Sequence, residues 1–125
     1  MSTLMKEMNN ELVIDCSEPW YSLIEKKIKP VEGRKGTKKW ASITVGDIVI
    51  FRDPMNHERT FKAEVIGINK YIGVDALDQY LLKETLERAL PGVVTLEEGR
   101  QIYLQWSTQE EIVVNGFLGI QLKIV

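Results

Sequence analysis

The chain has 125 residues, of which 44% are hydrophobic and 27% are charged, and its formal net charge is −2. This length and composition are typical of one globular domain that buries a core of its own. The sequence contains no run of 18 or more apolar residues, so it offers no candidate for a transmembrane helix. We therefore expect a soluble protein that makes no contact with a membrane.

The first ten residues are polar and lack the basic start and the apolar centre of a signal peptide. We expect residues 1–10 to form a flexible segment, followed by a single domain over residues 11–125. We also expect an intracellular protein, located in the cytoplasm or, in a eukaryote, in the nucleus.

Cys16 is the only cysteine of the chain, and His57 is its only histidine. A single cysteine excludes an internal disulfide and a cysteine-rich zinc site, and a single histidine excludes a metal site built on several histidines. We therefore expect no metal and no cofactor. Cys16 follows an apolar strand, which predicts a buried thiol, and His57 lies in a predicted turn, which predicts an exposed ring.

The first half of the chain reads mainly as short strands. Ser17 and Pro19 indicate the start of a helix over residues Trp20–Lys27, and the charged stretch from Lys35 to Lys39 is typical of an exposed loop. Apolar runs and alternation predict strands at Leu12–Ile14, Val31–Arg34, Ile48–Phe51 and Thr60–Ile68, the last two joined by a turn at Asp53–Asn56.

The second half of the chain is mainly helical. Leucines recur at three- and four-residue steps over Val74–Leu90, which predicts a helix with a buried leucine stripe and an acidic outer face. Thr95 and Glu98 form the pattern of a capping box for a second helix, and residues 107–111 start a third. The chain ends with a predicted strand over Phe117–Val125.

Strands on both sides of a helical insert predict an α+β fold built on a small, mostly antiparallel sheet or barrel with flanking helices. In this arrangement the final strand returns to close the sheet. The sequence shows no internal repeat and no segment of low complexity.

The segment between Lys26 and Lys39 holds seven of the chain's 16 basic residues, and Glu32 is the only acid in it. Such a concentration predicts a local positive field that attracts phosphate or another anion. Lys29, Glu32 and Arg34 lie where a strand begins, and we expect them to form a small charged site there. The lysines of the following loop, Lys35, Lys38 and Lys39, are candidates for phosphate contact.

Three motifs follow one another in this half: EPWYSLI from Glu18, KIKPVEGR from Lys27 and VGDIVIF from Val45. Together with the ending GFLGI from Gly116, they resemble the ASCH domain, a family named for activating signal cointegrator homology that belongs to the PUA-like barrels. The family pattern has a tryptophan-bearing helix, a G-x-K-T-V-E-x-R segment and a G-D-x-I-x-F strand. The resemblance covers nearly the whole chain from about residue 12.

This resemblance implies a PUA-like barrel with a cleft that accepts RNA, a nucleobase or a nucleoside. It implies that Lys29, Glu32 and Arg34 lie at the floor of the cleft. Aromatic residues near the cleft would then stack on the base, and the candidates are Trp20, Trp40, Trp106 and Tyr71. Binding of RNA or of a modified nucleoside is our first expectation for the function.

Two further functions stay open. Some small ASCH proteins are amidohydrolases that deacetylate N4-acetylcytidine, and at least one member has been described as a ribonuclease. Matching the amidohydrolase motif places its lysine on Lys29 and its nucleophilic threonine on Glu32. In an enzyme, the catalytic residues would be Lys29, which would stabilise an oxyanion, and Glu32, which would act as general base toward water at an amide or a phosphodiester. The third function is that of a module that contacts a protein partner through the acidic helical half.

Overall fold

The structure is a computed structural model that describes residues 11–125, without the side chain of Lys38. The predicted segment 1–10 lies outside the described residues. Five strands alternate with six helices in this part of the chain. In chain order they are β1 (Glu11–Asp15), α1 (Trp20–Glu25), β2 (Val31–Lys35), α2 (Lys38–Ala41), β3 (Ile48–Asp53), β4 (Asn56–Tyr71), α3 (Ala76–Glu84), α4 (Leu86–Ala89), α5 (Leu96–Tyr103), α6 (Gln109–Asn115) and β5 (Phe117–Ile124).

The five strands form one curled sheet in the order β1-β3-β4-β5-β2, which makes a half-barrel. β1 pairs with β3 in parallel, and the other three pairs are antiparallel. The long strand β4 bends where its register with β5 shifts between Val65 and Gly67. Such bulges increase the local twist and allow one strand to serve two parts of a curved sheet. The predicted α+β class, the largely antiparallel sheet and the returning last strand are confirmed.

Alternation along the strands divides the interior into two cores. On β5, Leu118 and Ile120 point into a core with Phe51 and with Tyr21 of α1, while Phe117 points to the other face. There it packs with Tyr80 and the helices α3 to α6. Side chains of a strand alternate between the two faces of the sheet, so β5 contributes to both cores.

The predicted helix over residues 74–90 is two helices in the structure. The leucine stripe is confirmed at Leu77 and Leu81, which are buried, but Leu82 is 65% exposed. The helix is interrupted at Thr85, which has a φ of 71°. The Thr85 hydroxyl accepts a hydrogen bond from the Arg88 amide and so caps the start of α4. A threonine in this backbone region is uncommon, and the periodicity of the leucines does not reveal it.

The acidic outer face predicted for this helix also needs a correction at Glu84, which is 2% exposed. Its carboxylate accepts hydrogen bonds from the Tyr71 hydroxyl at 2.5 Å and from the side-chain amides of Asn69 and Gln121, both at 2.9 Å. Gly119 on β5 leaves the room for this carboxylate, because a Cβ there would lie 2.5 Å from Glu84 Oε2. Glu84 therefore ties α3 to the sheet.

The charged stretch after β2 is not a simple exposed loop. The amide of Gly36 donates to the carbonyl of Gly116 at 2.9 Å, and residues 38–41 form the short helix α2. Trp40 on this helix is 5% exposed and packs into the first core. Within residues 11–125 no helix is both long and apolar enough to cross a membrane.

Candidate functional site

A cavity of about 250 Å³ opens between the two edge strands of the half-barrel. Residues at the end of β1 form one side, β2 forms the floor, and the turn after α5 forms part of the rim. The cavity is lined by Asp15, Cys16, Ser17, Trp20, Lys29, Glu32, Gly33, Arg34, Lys35, Thr37, Trp40, Leu90, Ile102, Tyr103, Trp106, Ser107 and Phe117. The site therefore occupies the seam where the sheet does not close.

Lys29 lies at the floor and is 2% exposed. Its ammonium group donates hydrogen bonds to the carbonyl of Val31 at 2.7 Å and to the carbonyl of Ala89, the last residue of α4. The carbonyls at a helix C-terminus lack partners within the helix, so the lysine satisfies one of them. Burial lowers the pKa of Lys29, although the nearby charge of Glu32 opposes that shift.

Glu32 and Arg34 lie two residues apart on β2 and therefore share a face of the strand. Arg34 donates to the same carboxylate oxygen, Glu32 Oε2, from Nε at 3.0 Å and from Nη2 at 2.8 Å. The other oxygen, Oε1, lies 3.8 Å from Lys29 Nζ. Glu32 is only 6% exposed, so its carboxylate is held between two cations with Oε1 on the Lys29 side.

Arg34 also spans the seam of the half-barrel. Its guanidinium lies 5.3 Å from the ring centroid of Trp40, and its Nη2 lies 3.4 Å from the carbonyl of Asp15 at the end of β1. Burial alone would lower the pKa of the Arg34 guanidinium, but the neighbouring carboxylate of Glu32 has the larger effect and raises this pKa. Arg34 is therefore a fixed cation that links both edges of the sheet.

All three tryptophans of the chain border the cavity. Trp40 is buried, Trp20 is half-buried and has its ring centroid 5.7 Å from Lys29 Nζ, and Trp106 is 55% exposed. The indole rings thus extend from the floor of the cavity to its rim. Flat ligands with π faces stack on such rings.

Gly33 and Tyr103 shape the wall between the cavity and the helices. A Cβ at position 33 would lie 2.5 Å from the hydroxyl oxygen of Tyr80 and 2.8 Å from that of Tyr103. The two hydroxyl groups are hydrogen-bonded to each other at 2.7 Å. Burial, together with the charge of Glu32, raises the pKa of Tyr103. The hydroxyl of Tyr103 therefore stays protonated, and this wall carries no charge.

The rim of the cavity carries an ion pair, and its wall holds a thiol. Lys35 Nζ lies 2.9 Å from Oε2 of Glu111 on α6. Cys16 is 6% exposed, as the sequence predicted, and burial followed by the charge of Glu32 raises the pKa of its thiol to about 12.

Seven of the ten predicted site residues line this one cavity: Lys29, Glu32, Arg34, Lys35, Trp20, Trp40 and Trp106. Tyr71 does not, because it lies in the second core and its hydroxyl bonds to Glu84. Lys39 does not either, since it is exposed on α2 and its ammonium lies 3.4 Å from the carbonyl of Val13. The side chain of Lys38 lies outside the described residues.

The positive field expected between residues 26 and 39 is not concentrated at the cavity. Lys29 is buried, and Arg34 and Lys35 are each paired with a carboxylate. The basic residues are close in sequence, but the turns between α1, β2 and α2 distribute them over different elements of the fold. Across the described residues no three His, Cys, Asp or Glu side chains are grouped so as to hold a metal ion.

Tyr103 is a lining residue that the sequence did not single out, whereas Trp106 was one of the candidates for base stacking. Both follow the capping box at Thr95, about 70 residues after the charged motif, and nothing in the local pattern connects them to that motif. Only the fold brings the turn after α5 to the end of β2.

Two solved structures resemble the chain over nearly its whole length. The crystal structure of hypothetical protein PH0355 has 30% sequence identity and a TM-score of 0.81, covering 92% of this chain and 99% of that one. The solution structure of protein PF0455 from Pyrococcus furiosus has 30% identity and a TM-score of 0.74, covering 92% and 97%. The chain belongs to the same family as these two proteins.

The fold is also that of a crystallised ASCH protein of Zymomonas mobilis. Its S128A mutant has a TM-score of 0.62 at 14% identity, covering 92% of this chain and 68% of that one. The ASCH fold expected from the motifs is therefore confirmed, and at this identity the likeness is one of fold. No protein-family model and no functionally curated protein matches the sequence of this ASCH-fold chain.

Proposed function

We propose that this ASCH-fold protein binds one unstacked nucleobase in its cavity, either as a free or modified nucleoside or as a nucleotide of single-stranded RNA. The observation that carries this proposal is that all three tryptophans border one cavity with a buried carboxylate and a buried ammonium at its floor. Stacking on aromatic rings together with hydrogen bonds to a base edge is the usual way in which proteins bind an unstacked base.

The floor offers an acceptor and a donor side by side. Arg34 occupies Oε2 of Glu32, which leaves Oε1 to accept a hydrogen bond from a ring N–H or an exocyclic amine. A lysine ammonium has three N–H groups, and the carbonyls of Val31 and Ala89 take two of those of Lys29. The third can donate to a ring nitrogen or a carbonyl oxygen of the same base.

The volume and the charge of the cavity favour a single base over a long stretch of RNA. At about 250 Å³ it is smaller than a drug-sized pocket, which typically measures about 300–1,000 Å³. The cations that line it are buried or paired, so we expect stacking to contribute more to the affinity than phosphate contacts do. For RNA, the logarithm of the binding constant should then fall with the logarithm of the salt concentration at a slope of about −0.7 for each phosphate contacted. We expect few phosphates to be contacted.

The test is a calorimetric titration with the four common nucleosides, a panel of modified ones, and short single-stranded and double-stranded RNA. We expect at least one nucleoside to bind and single strands to bind better than duplexes. Trp106→Ala should weaken binding by about five- to 150-fold, because one stacked base contributes about 1–3 kcal/mol. Leu82→Ala, which removes another exposed apolar side chain that does not line the cavity, is the matched control and should bind as the parent does.

Hydrolysis is a second candidate, because Lys29 Nζ lies 3.8 Å from Glu32 Oε1 inside the cavity. Glu32 would take a proton from a water molecule that attacks an amide or a phosphodiester, and the third N–H of Lys29 would stabilise the oxyanion. Incubation with N4-acetylcytidine and with labelled single-stranded RNA tests this candidate. Turnover by the parent that Glu32→Gln abolishes would favour the enzyme, and neither binding nor turnover would favour a protein-contact module.

A further inference from the structure

The cation at the rim of the cavity, Lys35, has a counter-ion that lies outside the cavity. Lys35 lines the cavity with a side chain that is 21% exposed, while the Glu111 side chain is 48% exposed on α6. Their contact is 2.9 Å long and joins residues 76 positions apart. The ammonium group therefore lies at the entrance, where ligand groups that extend beyond a bound base would pass.

Among the described residues, two further cations line the cavity, and neither is free to leave its partners for a phosphate. Lys29 is buried and bonded to two carbonyls, and Arg34 makes two hydrogen bonds to Glu32 while it stacks on Trp40. An ion pair with an exposed carboxylate, such as that of Lys35, is weak because water competes for both charges. A phosphate carries more negative charge and more acceptor oxygens than a carboxylate, so it competes well for an ammonium group.

Glu111 is nevertheless held firmly beside Lys35. Its Oε1 accepts a hydrogen bond from the Thr108 amide at 2.9 Å, and the Thr108 hydroxyl accepts one from the Glu111 amide at 3.1 Å. This capping box fixes the carboxylate at the start of α6. The hydrogen bond from Lys35, followed by that from Thr108, lowers the pKa of Glu111 to about 2, so its charge is present at neutral pH.

We infer that Lys35 is the phosphate-binding residue of the site and that Glu111 competes with the phosphate for it. The ligand class that follows is a nucleoside carrying a phosphate, as a free nucleoside monophosphate or as a nucleotide of single-stranded RNA. This inference rests on the proposed binding of a nucleobase in the cavity. Glu111 then sets how strongly the protein prefers a phosphorylated nucleoside over the bare one.

Glu111→Gln is a specific test because it removes the negative charge that competes with the phosphate and keeps the N-terminal cap of α6. Glutamine at the third helical position can still accept a hydrogen bond from the N-cap amide, so α6 should remain intact. Glu110→Gln, one residue earlier on the same helix and also exposed, is the matched control for a loss of one negative charge.

The measurement is a calorimetric titration of the parent and the variants with adenosine, cytidine, guanosine and uridine and with their 3′- and 5′-monophosphates. In Glu111→Gln we expect the monophosphates to bind about fivefold more tightly, with no such gain for the nucleosides. Lys35→Gln should reduce the preference for monophosphates, and adding Glu111→Gln to it should give no further gain. Glu110→Gln should leave the preference as it is in the parent.

Three outcomes separate this inference from the function on which it rests. If nucleosides bind and Glu111→Gln leaves the monophosphate preference unchanged, the inference is wrong and the proposed function stands. An equal gain in Glu110→Gln and Glu111→Gln would also overturn it, because the effect would then be one of net charge. If the parent binds neither nucleosides nor monophosphates, the proposed function fails and the inference fails with it.

Discussion

Arg34 donates two hydrogen bonds to one oxygen of Glu32, and Lys29 lies 3.8 Å from the other oxygen. One buried carboxylate thus neutralises two cations at the floor of the cavity. This arrangement explains how Lys29 remains fully buried, since a lone ammonium in a core would be costly. It also makes Glu32 important to the fold as well as to the proposed binding.

Replacing Glu32 with glutamine should destabilise the protein by about 3 kcal/mol, because it leaves the ammonium of Lys29 and the guanidinium of Arg34 without their shared counter-charge. The free energy of unfolding from urea denaturation measures this cost. Glu111→Gln serves as the control, since its ion pair with Lys35 is exposed to water and should contribute little to the stability of the fold. Equal stabilities for the parent and Glu32→Gln would contradict the geometry of the floor.

Gly33→Ala should destabilise the protein by about 1–3 kcal/mol, the usual cost of overpacking a tight site. The new methyl group would lie 2.5 Å from the Tyr80 hydroxyl oxygen and 2.8 Å from that of Tyr103, and both rings are buried. Gly67→Ala is a control on β4, because the nearest atom to the added methyl group there is Cγ of Gln121 at the longer distance of 3.1 Å. Thermal unfolding of both variants should show the larger loss for Gly33→Ala.

Glu84→Gln should reduce the acid sensitivity of the fold. Burial alone would raise the pKa of Glu84, but hydrogen bonds from Tyr71, Asn69 and Gln121 outweigh it and lower the pKa from 4.5. A carboxylate with a lowered pKa in the folded state contributes stability above the pKa of the unfolded state, and this contribution is lost as the pH falls through the folded pKa.

Relative to the parent, Glu84→Gln should be less stable at pH 7 by about 2 kcal/mol and should lose less stability on acidification below about pH 4.5. Urea denaturation at a series of pH values compares the two proteins. Parallel pH profiles for the parent and the variant would show that the buried network does not depend on the charge of Glu84.

The Cys16 thiol should react slowly in the native protein. With a pKa of about 12, the thiolate fraction at pH 8 is on the order of one in ten thousand. Iodoacetamide should therefore modify the native protein far more slowly than the urea-unfolded chain, as followed by mass spectrometry. Comparable rates in the two states would mean that the cavity wall opens readily.

Local sequence patterns predicted the parts of the fold that depend on near neighbours. The run from Ile48 to Phe51 is β-branched and apolar and follows a Gly-Asp turn, so a strand was evident there. The capping box of Thr95 and Glu98 marked the start of a helix in the same way. The motif of β2 placed Lys29, Glu32 and Arg34 together because they are only five residues apart.

Contacts between distant segments could not be predicted from such patterns. The carbonyl that holds Lys29 belongs to Ala89, 60 residues later, and the partner of Lys35 is 76 residues away. The sequence marked Tyr71 as a candidate for base stacking, yet its hydroxyl donates a hydrogen bond to the buried carboxylate of Glu84. A charged side chain carries no local sign of whether a partner elsewhere in the chain will neutralise it.

The central claim, that the cavity binds a nucleobase, is tested most directly by the three indole N–H signals in ¹H–¹⁵N NMR spectra. The chain has three tryptophans and all of them border the cavity, so Trp20, Trp40 and Trp106 report on it from the floor to the rim. On titration with the nucleoside panel, we predict that at least one nucleoside shifts all three signals along one common saturation curve. If no nucleoside moves any of the three signals up to millimolar concentration, the claim is contradicted.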